Sequence, residues 1–429
     1  MNVLTALARV DAAATGRAQA VTLYRHVYVS PRPLVLVPLA LSGEAAAPLA
    51  VMFGTDRDEP RLLIVPQPRD RELRRQFFAE FAKEIDAYAE EEPQVVVPNR
   101  ACANFLRLLG RSTRFQEGDR VGRWLTYFTD RSDYPGSSAL LTATGALTLH
   151  WATGQSALED ADLASLLGWV TGERSSHVPA QPAAPWTTPE FDNHTLGPLI
   201  DAYEREEPGV SDALARALST QLDVIWGHTW QALDLLRQLP EARSVPERWL
   251  WDVAAYTALV GQLDGPPQPI RDDPLAAAAR LDHWERGAAR YAAQRAFDDP
   301  LVMAAHRLTG EAFRCVVTAT EPDRKEGRKL RPRVTVVATE PVLCDTGDTL
   351  TSPTRRGQPA VVTAIDDRTV VLTLTGGMGR GMIPAAGSVP EVGEDLVYAS
   401  LSEAFQRSGP LPEHVPWTHG GNGGGNDDD

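Results

Sequence analysis

Residues 33–40 read PLVLVPLA, residues 48–54 read PLAVMFG and residues 61–65 read RLLIV. Each run is short, apolar and rich in Val, Leu and Ile, the pattern of a buried strand rather than a helix. Turn signals separate them, the second break being Asp56-Arg57-Asp58-Glu59-Pro60. The period then changes. From residue 70 to 88, Leu73, Phe77, Phe81, Ile85 and Tyr88 recur at the three-to-four spacing of one buried helical stripe. Pro93 after three glutamates ends that helix. Residues 94–97 make a further strand, and residues 100–109 a helix closed by Gly110. Three strands, helix, strand, helix is the order of a small α/β domain, placed at residues 1–120.

Outward from this domain the expected pattern is helical across residues 121–170. Trp124, Tyr127, Leu140, Leu141, Trp151, Leu163, Leu167 and Trp169 are its candidate core. Pro179, Pro182, Pro185 and Pro189 mark a linker at 175–195. A helical domain follows over 196–308, with helices at 213–236, 247–263 and 274–297. Within it, Trp226 and Trp230 stand four apart beside Leu222, Leu233 and Leu236, marking a buried face. Beyond residue 312 the period becomes two. Short strands at 313–319, 333–338, 360–365, 369–375 and 395–400, joined by Gly-, Pro- and Asp-rich turns, predict a small β-barrel over 309–408. Residues 409–429 end in Gly, Asn and Asp only and are expected to be a disordered tail. The fold class is therefore α+β multidomain: an N-terminal α/β domain, a helical middle and a C-terminal barrel.

Composition narrows the function classes. A chain of 429 residues exceeds one ordinary core and suggests two to four domains. No run reaches the roughly 18 apolar residues of a membrane span, and the first twenty residues lack the apolar core of a signal peptide. Three scattered cysteines, Cys102, Cys315 and Cys344, fit a reducing cytoplasm and neither a disulfide framework nor a cysteine-rich zinc site. The net charge of −15 argues against a surface coated in nucleic acid. Arginine so outnumbers lysine (Lys83, Lys325 and Lys329 alone) that the composition resembles that of a high-G+C, actinobacterial-like genome.

The motifs of common chemistries are missing. There is no phosphate-binding G-x-x-x-x-G-K-[ST], and the glycine-rich stretch 376–381 leads into Met382-Ile383-Pro384 rather than a helix, so it reads as a barrel turn. Nucleophile-elbow, H-E-x-x-H and kinase signatures are likewise missing. His228 and His306 have no second ligand at helical spacing, so no metal or other cofactor is expected. Glu159, Asp160 and Asp162 form either a carboxylate cluster or the acidic start of a helix, and the macrodipole favours the second. His150, Trp151, Gly154 and Gln155 read as a helix end or the wall of a pocket.

One charge feature opposes the trend of the whole chain. Arg324, Lys325, Arg328, Lys329, Arg331 and Arg333 stand against the single Glu326, a local net of +5. Arg355 and Arg356, with Arg380, extend the patch if the barrel brings them to one side. Basic loops on a small barrel hold a phosphate backbone through Coulomb attraction and counterion release. A solvated hairpin is the other reading.

Two stretches resemble known arrangements. Trp284, Arg286, Arg290, Arg295 and Asp299-Pro300, followed by the barrel with residues 347–350 and 360–365, are similar to the stalk helices and inserted barrel of 5′-to-3′ superfamily 1 helicases. The resemblance implies a barrel that touches nucleic acid; the motor domains of that family have no counterpart here. The N-terminal segment is similar in order to an RNase H-like exonuclease domain, which needs an Asp-x-Glu pair on its first strand. Residues 34–38 carry no carboxylate there, which implies an inactive domain. The function expected is a non-catalytic accessory subunit of a nucleic-acid-processing or phage-defence machine. It would bind DNA or RNA through the barrel and a helicase, ATPase or nuclease partner through its helical middle, with no membrane partner. The alternatives are a divergent metal-dependent nuclease using Glu44, Asp56 and Asp58, and a pure protein scaffold.

Overall fold

A computed structural model describes residues 2–44, 47–88, 93–114, 120–173, 185–265, 273–404 and 409. The chain is mixed α and β and includes a closed six-stranded barrel. The expected tail beyond Gly409 and residues 175–184 of the expected linker lie outside the described residues.

The three opening runs form strands β1 (Leu34–Ala40), β2 (Pro48–Gly54) and β3 (Arg61–Ile64). Helix α1 (Arg71–Tyr88) leads to β4 (Val95–Val97), and helices α2 (Arg100–Thr113) and α3 (Arg120–Asp133) lead to β5 (Leu140–Thr142). The sheet order is β3-β2-β1-β4-β5, antiparallel between β1, β2 and β3 and parallel from β1 through β4 to β5. The ladder to β4 reaches only Leu34 and Val35, so Pro38 sits beyond it, where a missing N–H breaks no bond on that side.

Strand β5 falls inside the stretch expected to be wholly helical, and the sheet therefore crosses residue 120. Three residues carry too little period-two signal to stand out between helices. Gly110 differs as well. It lies within α2 instead of closing it, and a Cβ there would meet the Thr126 backbone nitrogen at 2.9 Å, so glycine serves the close approach of α2 to α3.

All seven residues of β1 are buried because both sheet faces are covered. Val35, Val37 and Leu39 face helix α4 (Val210–Gln238), which lays Leu214, Leu218, Leu222 and Trp226 across them at four-residue spacing. Leu34 and Leu36 face the other way, toward Phe77, Phe81, Phe105 and Trp124 of α1 to α3 and Tyr256 of helix α5 (Val245–Val260). Helices expected to form a separate middle thus cover the sheet. Residues 185–195 are part of this body rather than linker: the Thr187 amide donates to Ala40 O at 3.0 Å, and Ser42 N donates to the Thr187 hydroxyl.

Helices α6 (Pro274–Asp298) and α7 (Pro300–Thr309) lead into barrel strands β6 (Ala312–Glu321), β7 (Arg333–Ala338), β8 (Thr349–Ser352), β9 (Arg355–Asp366), β10 (Thr369–Leu374) and β11 (Asp395–Ala399). They close in the order β7-β10-β9-β8-β11-β6. Alternate residues such as Val334, Val336 and Ala338 fill the interior. Strand β8 was not expected. Its four residues hold one large apolar side chain, Leu350, too few to show a period. Among the described residues no helix is long and apolar enough to cross a membrane.

Candidate nucleic-acid interface

The basic stretch is a hairpin that extends beyond the β6–β7 ladder. Lys325-Glu326 pairs antiparallel with Lys329-Leu330, and Gly327, at φ 63, supplies the left-handed position at the tip. The six cations divide into two sets. Arg324 pairs with Glu326 at 3.0 Å, and Arg333 lies 3.6 Å from Glu321. Arg331 is half-buried and donates to Leu330 O and Thr375 O, closing the base of the hairpin. Lys325, Arg328 and Lys329 are exposed and have no ion-pair partner among the described residues. Three cations near the tip therefore face solvent, and three hold the hairpin in shape.

Arg355 and Arg356 do not join this set. Arg355 makes a two-pronged bond to Glu394, at 3.1 and 2.8 Å, and donates to Gly387 O. Arg356 donates to Asp298, whose side chain is fully buried, at 2.6 Å, and to Glu403 at 3.1 Å. It also lies over the Phe297 ring. These two arginines fasten the barrel rather than present charge. Arg380 is exposed on the glycine-rich loop, and Met378 of that loop plugs into the barrel core.

Other sequence candidates are likewise occupied by structure. Glu159 completes a capping box with Ser156, Asp162 caps the helix Leu163–Thr171, and Asp160 accepts from Thr153 and Gln155 and pairs with Arg9. Glu44 is bonded to Arg69, and Asp56 accepts the Asp58 amide in a turn. Among the described residues no group of three or more His, Cys, Asp or Glu is placed to hold a metal ion.

His150 lies in a buried network that the sequence did not foreshadow. Its Nε2 accepts from the His26 backbone N–H at 2.9 Å, so Nδ1 carries the proton and donates to Ala146 O. His26 in turn bonds Asp299 through Nε2 at 3.4 Å. Burial is the main reason that His150 is pulled down from 6.5 to about 4. Below pH 6.5 the unfolded chain takes up a proton that the folded chain refuses. Stability present at neutral pH is therefore lost as the pH falls from about 6.5 to about 4, by about 3 kcal/mol for this group. Urea denaturation at pH 7 and pH 4.5 checks this. His150→Phe should flatten the pH dependence, and an unchanged slope in that variant would refute the assignment.

No protein-family model matches the chain, and no curated protein or solved structure matches it either. Sequence reading found the hairpin because its charges are contiguous. It missed a cavity lined by Arg131, Arg248, Arg286 and Arg290: Arg286 and Arg290 are one turn apart on α6, but Arg131 and Arg248 reach the same wall from two other helices.

Proposed function

We propose that this protein is a non-catalytic accessory subunit of a nucleic-acid-processing machine, binding nucleic acid through the tip of the barrel hairpin. The observation that carries this is the trio Lys325, Arg328 and Lys329, exposed on a projecting hairpin while the other basic side chains of the stretch are bonded at its base. With an overall charge of −15, binding depends on a local patch that prevails within about one Debye length, roughly 8 Å at physiological salt. The sheet order, three antiparallel strands followed by two parallel ones, supports the RNase H-like reading of the N-terminal body. Strand β1 consists of Leu, Val, Pro and Ala and offers no carboxylate, which supports an inactive form of it. The helical surface then remains for a helicase, ATPase or nuclease partner.

Replacing Lys325, Arg328 and Lys329 together with alanine is the test. Each phosphate contact adds close to one unit to the salt slope, so the triple variant should lower it by up to about three units and weaken binding alike for all sequences. Exposed side chains cost little stability, so the fold should persist. Equal binding by wild type and variant, or no binding by wild type at low salt, removes the reading and leaves the barrel as a protein-interaction module.

A further inference from the structure

A cavity of about 430 Å³ opens where the end of α3 and the turn after it meet α5, α6 and the segment that follows the barrel. Four guanidinium groups line it, those of Arg131, Arg248, Arg286 and Arg290, and among the described residues no carboxylate does. Three of the four are braced from outside the wall. Arg131 bonds Asp252, Arg286 bonds Asp282, and Arg290 bonds Glu247 at 3.0 Å. For Arg131 and Arg290, bracing of this kind fixes the direction of the rest of the guanidinium fork, as a site for a planar or tetrahedral anion needs.

Arg248 is different. It is 5% exposed, and its bonds go to neutral groups, His26 O at 2.9 Å and Gln294 Oε1 at 3.2 Å. The carboxylates nearest to it electrostatically, Asp298 and Asp252, are bonded to Arg356 and Arg131. A cation this deeply buried without its own counter-ion is costly, and an anion in the cavity it lines would offset that cost.

The wall alternates charge with aromatic rings. Arg131 lies over Tyr134 at 4.3 Å, Arg290 over Trp251 at 3.8 Å, and Arg248 over Tyr291 at 5.0 Å. Gly136, at φ 79, lets the turn after α3 pack closely behind this wall, since a Cβ there would come within 2.8 Å of Tyr291 and 2.9 Å of Arg248. Guanidinium planes and aromatic rings both accept a further planar ring by stacking, and the volume suits one small ligand.

We propose that this cavity binds a nucleoside phosphate, its phosphate held by the arginines and its base stacked within the aromatic wall. The site is separate from the barrel hairpin and does not depend on the hairpin reading. Two sources present the same chemistry, a free nucleotide and the phosphorylated end of a strand. Calorimetric titration of the full chain with AMP, ATP, adenosine, and short single strands bearing a 5′-phosphate or a 5′-hydroxyl separates them.

AMP or ATP is expected to bind at least tenfold tighter than adenosine if the free nucleotide is the ligand. The 5′-phosphorylated strand should exceed both AMP and the 5′-hydroxyl strand tenfold if the strand end is. Arg290→Ala should weaken the preferred probe at least tenfold. Ala289→Trp, which fills the cavity without removing a braced arginine, should do the same even if the first variant fails to fold. The Lys325, Arg328, Lys329 triple variant should still bind AMP as wild type does, so failure of the hairpin reading leaves this one standing. Adenosine binding as well as AMP together with the 5′-hydroxyl strand binding as well as the 5′-phosphorylated one, wild-type affinity in the Ala289→Trp variant, or no heat from any phosphorylated probe at about 1 mM would overturn the proposal.

Discussion

Asp299→Ala is expected to destabilise the protein by on the order of 5 kcal/mol. The residue is 1% exposed and stands at the joint between α6 and α7. One carboxylate oxygen accepts the backbone N–H groups of Leu23 and Tyr24, at 2.6 and 3.2 Å, and faces His26 Nε2. The other accepts the Leu301 amide and caps α7. Burial on its own raises the carboxyl's pKa, but the bonds from His26, Leu23, Leu301 and Tyr24 outweigh it and hold the group below its ordinary value. Alanine would leave these donors without an acceptor, each costing about 1–3 kcal/mol. Chemical denaturation measures the loss. A midpoint close to that of wild type would mean that water replaces the carboxylate, and the joint would not be the anchor described here.

Arg356→Ala should cost about 3–5 kcal/mol, because it strands a buried carboxylate rather than merely deleting an exposed pair. Asp298 has no exposed side-chain surface and accepts from Ser244 N, Ser244 Oγ and Arg356. Arg356→Lys restores the charge but not the fork that reaches Asp298, Glu403 and Ser244 together, so it should recover only part of the loss. Limited proteolysis gives an independent reading: cleavage near residue 310 should accelerate in the alanine variant. Equal stability and equal proteolysis in wild type and Arg356→Ala would remove the claim that this arginine fastens the barrel.

The legible parts of the fold are those whose signal is local. Residues 34–40 and 48–54 announce strands by composition, and Phe77, Phe81 and Ile85 announce a helix by spacing. Barrel strands β7 and β10 show their alternation plainly. What stayed hidden depends on partners distant in sequence. Strand β5 exists because β4 lies beside it, and α4 belongs with the sheet because its leucines meet Val35 and Val37. The same division holds for the sites. The hairpin charges are contiguous, whereas Arg131 and Arg290 lie far apart in sequence and become one wall only in the fold. Local reading also placed Arg355 and Arg356 with the patch, since nothing nearby in sequence reveals Glu394 or Asp298 as their partners.

Asp298 and Asp299 are adjacent in sequence and grip opposite bodies, one the barrel through Arg356, the other the N-terminal segment through Leu23 and Tyr24. Two consecutive carboxylates at the end of one helix therefore fasten two separate parts of the chain to it. The 23–26 segment is held from both sides, by Asp299 at Leu23 and Tyr24 and by Arg248 at the His26 carbonyl. The joint between α6 and α7 and the arginine-lined cavity thus hold one short stretch of backbone between them, residues 23–26.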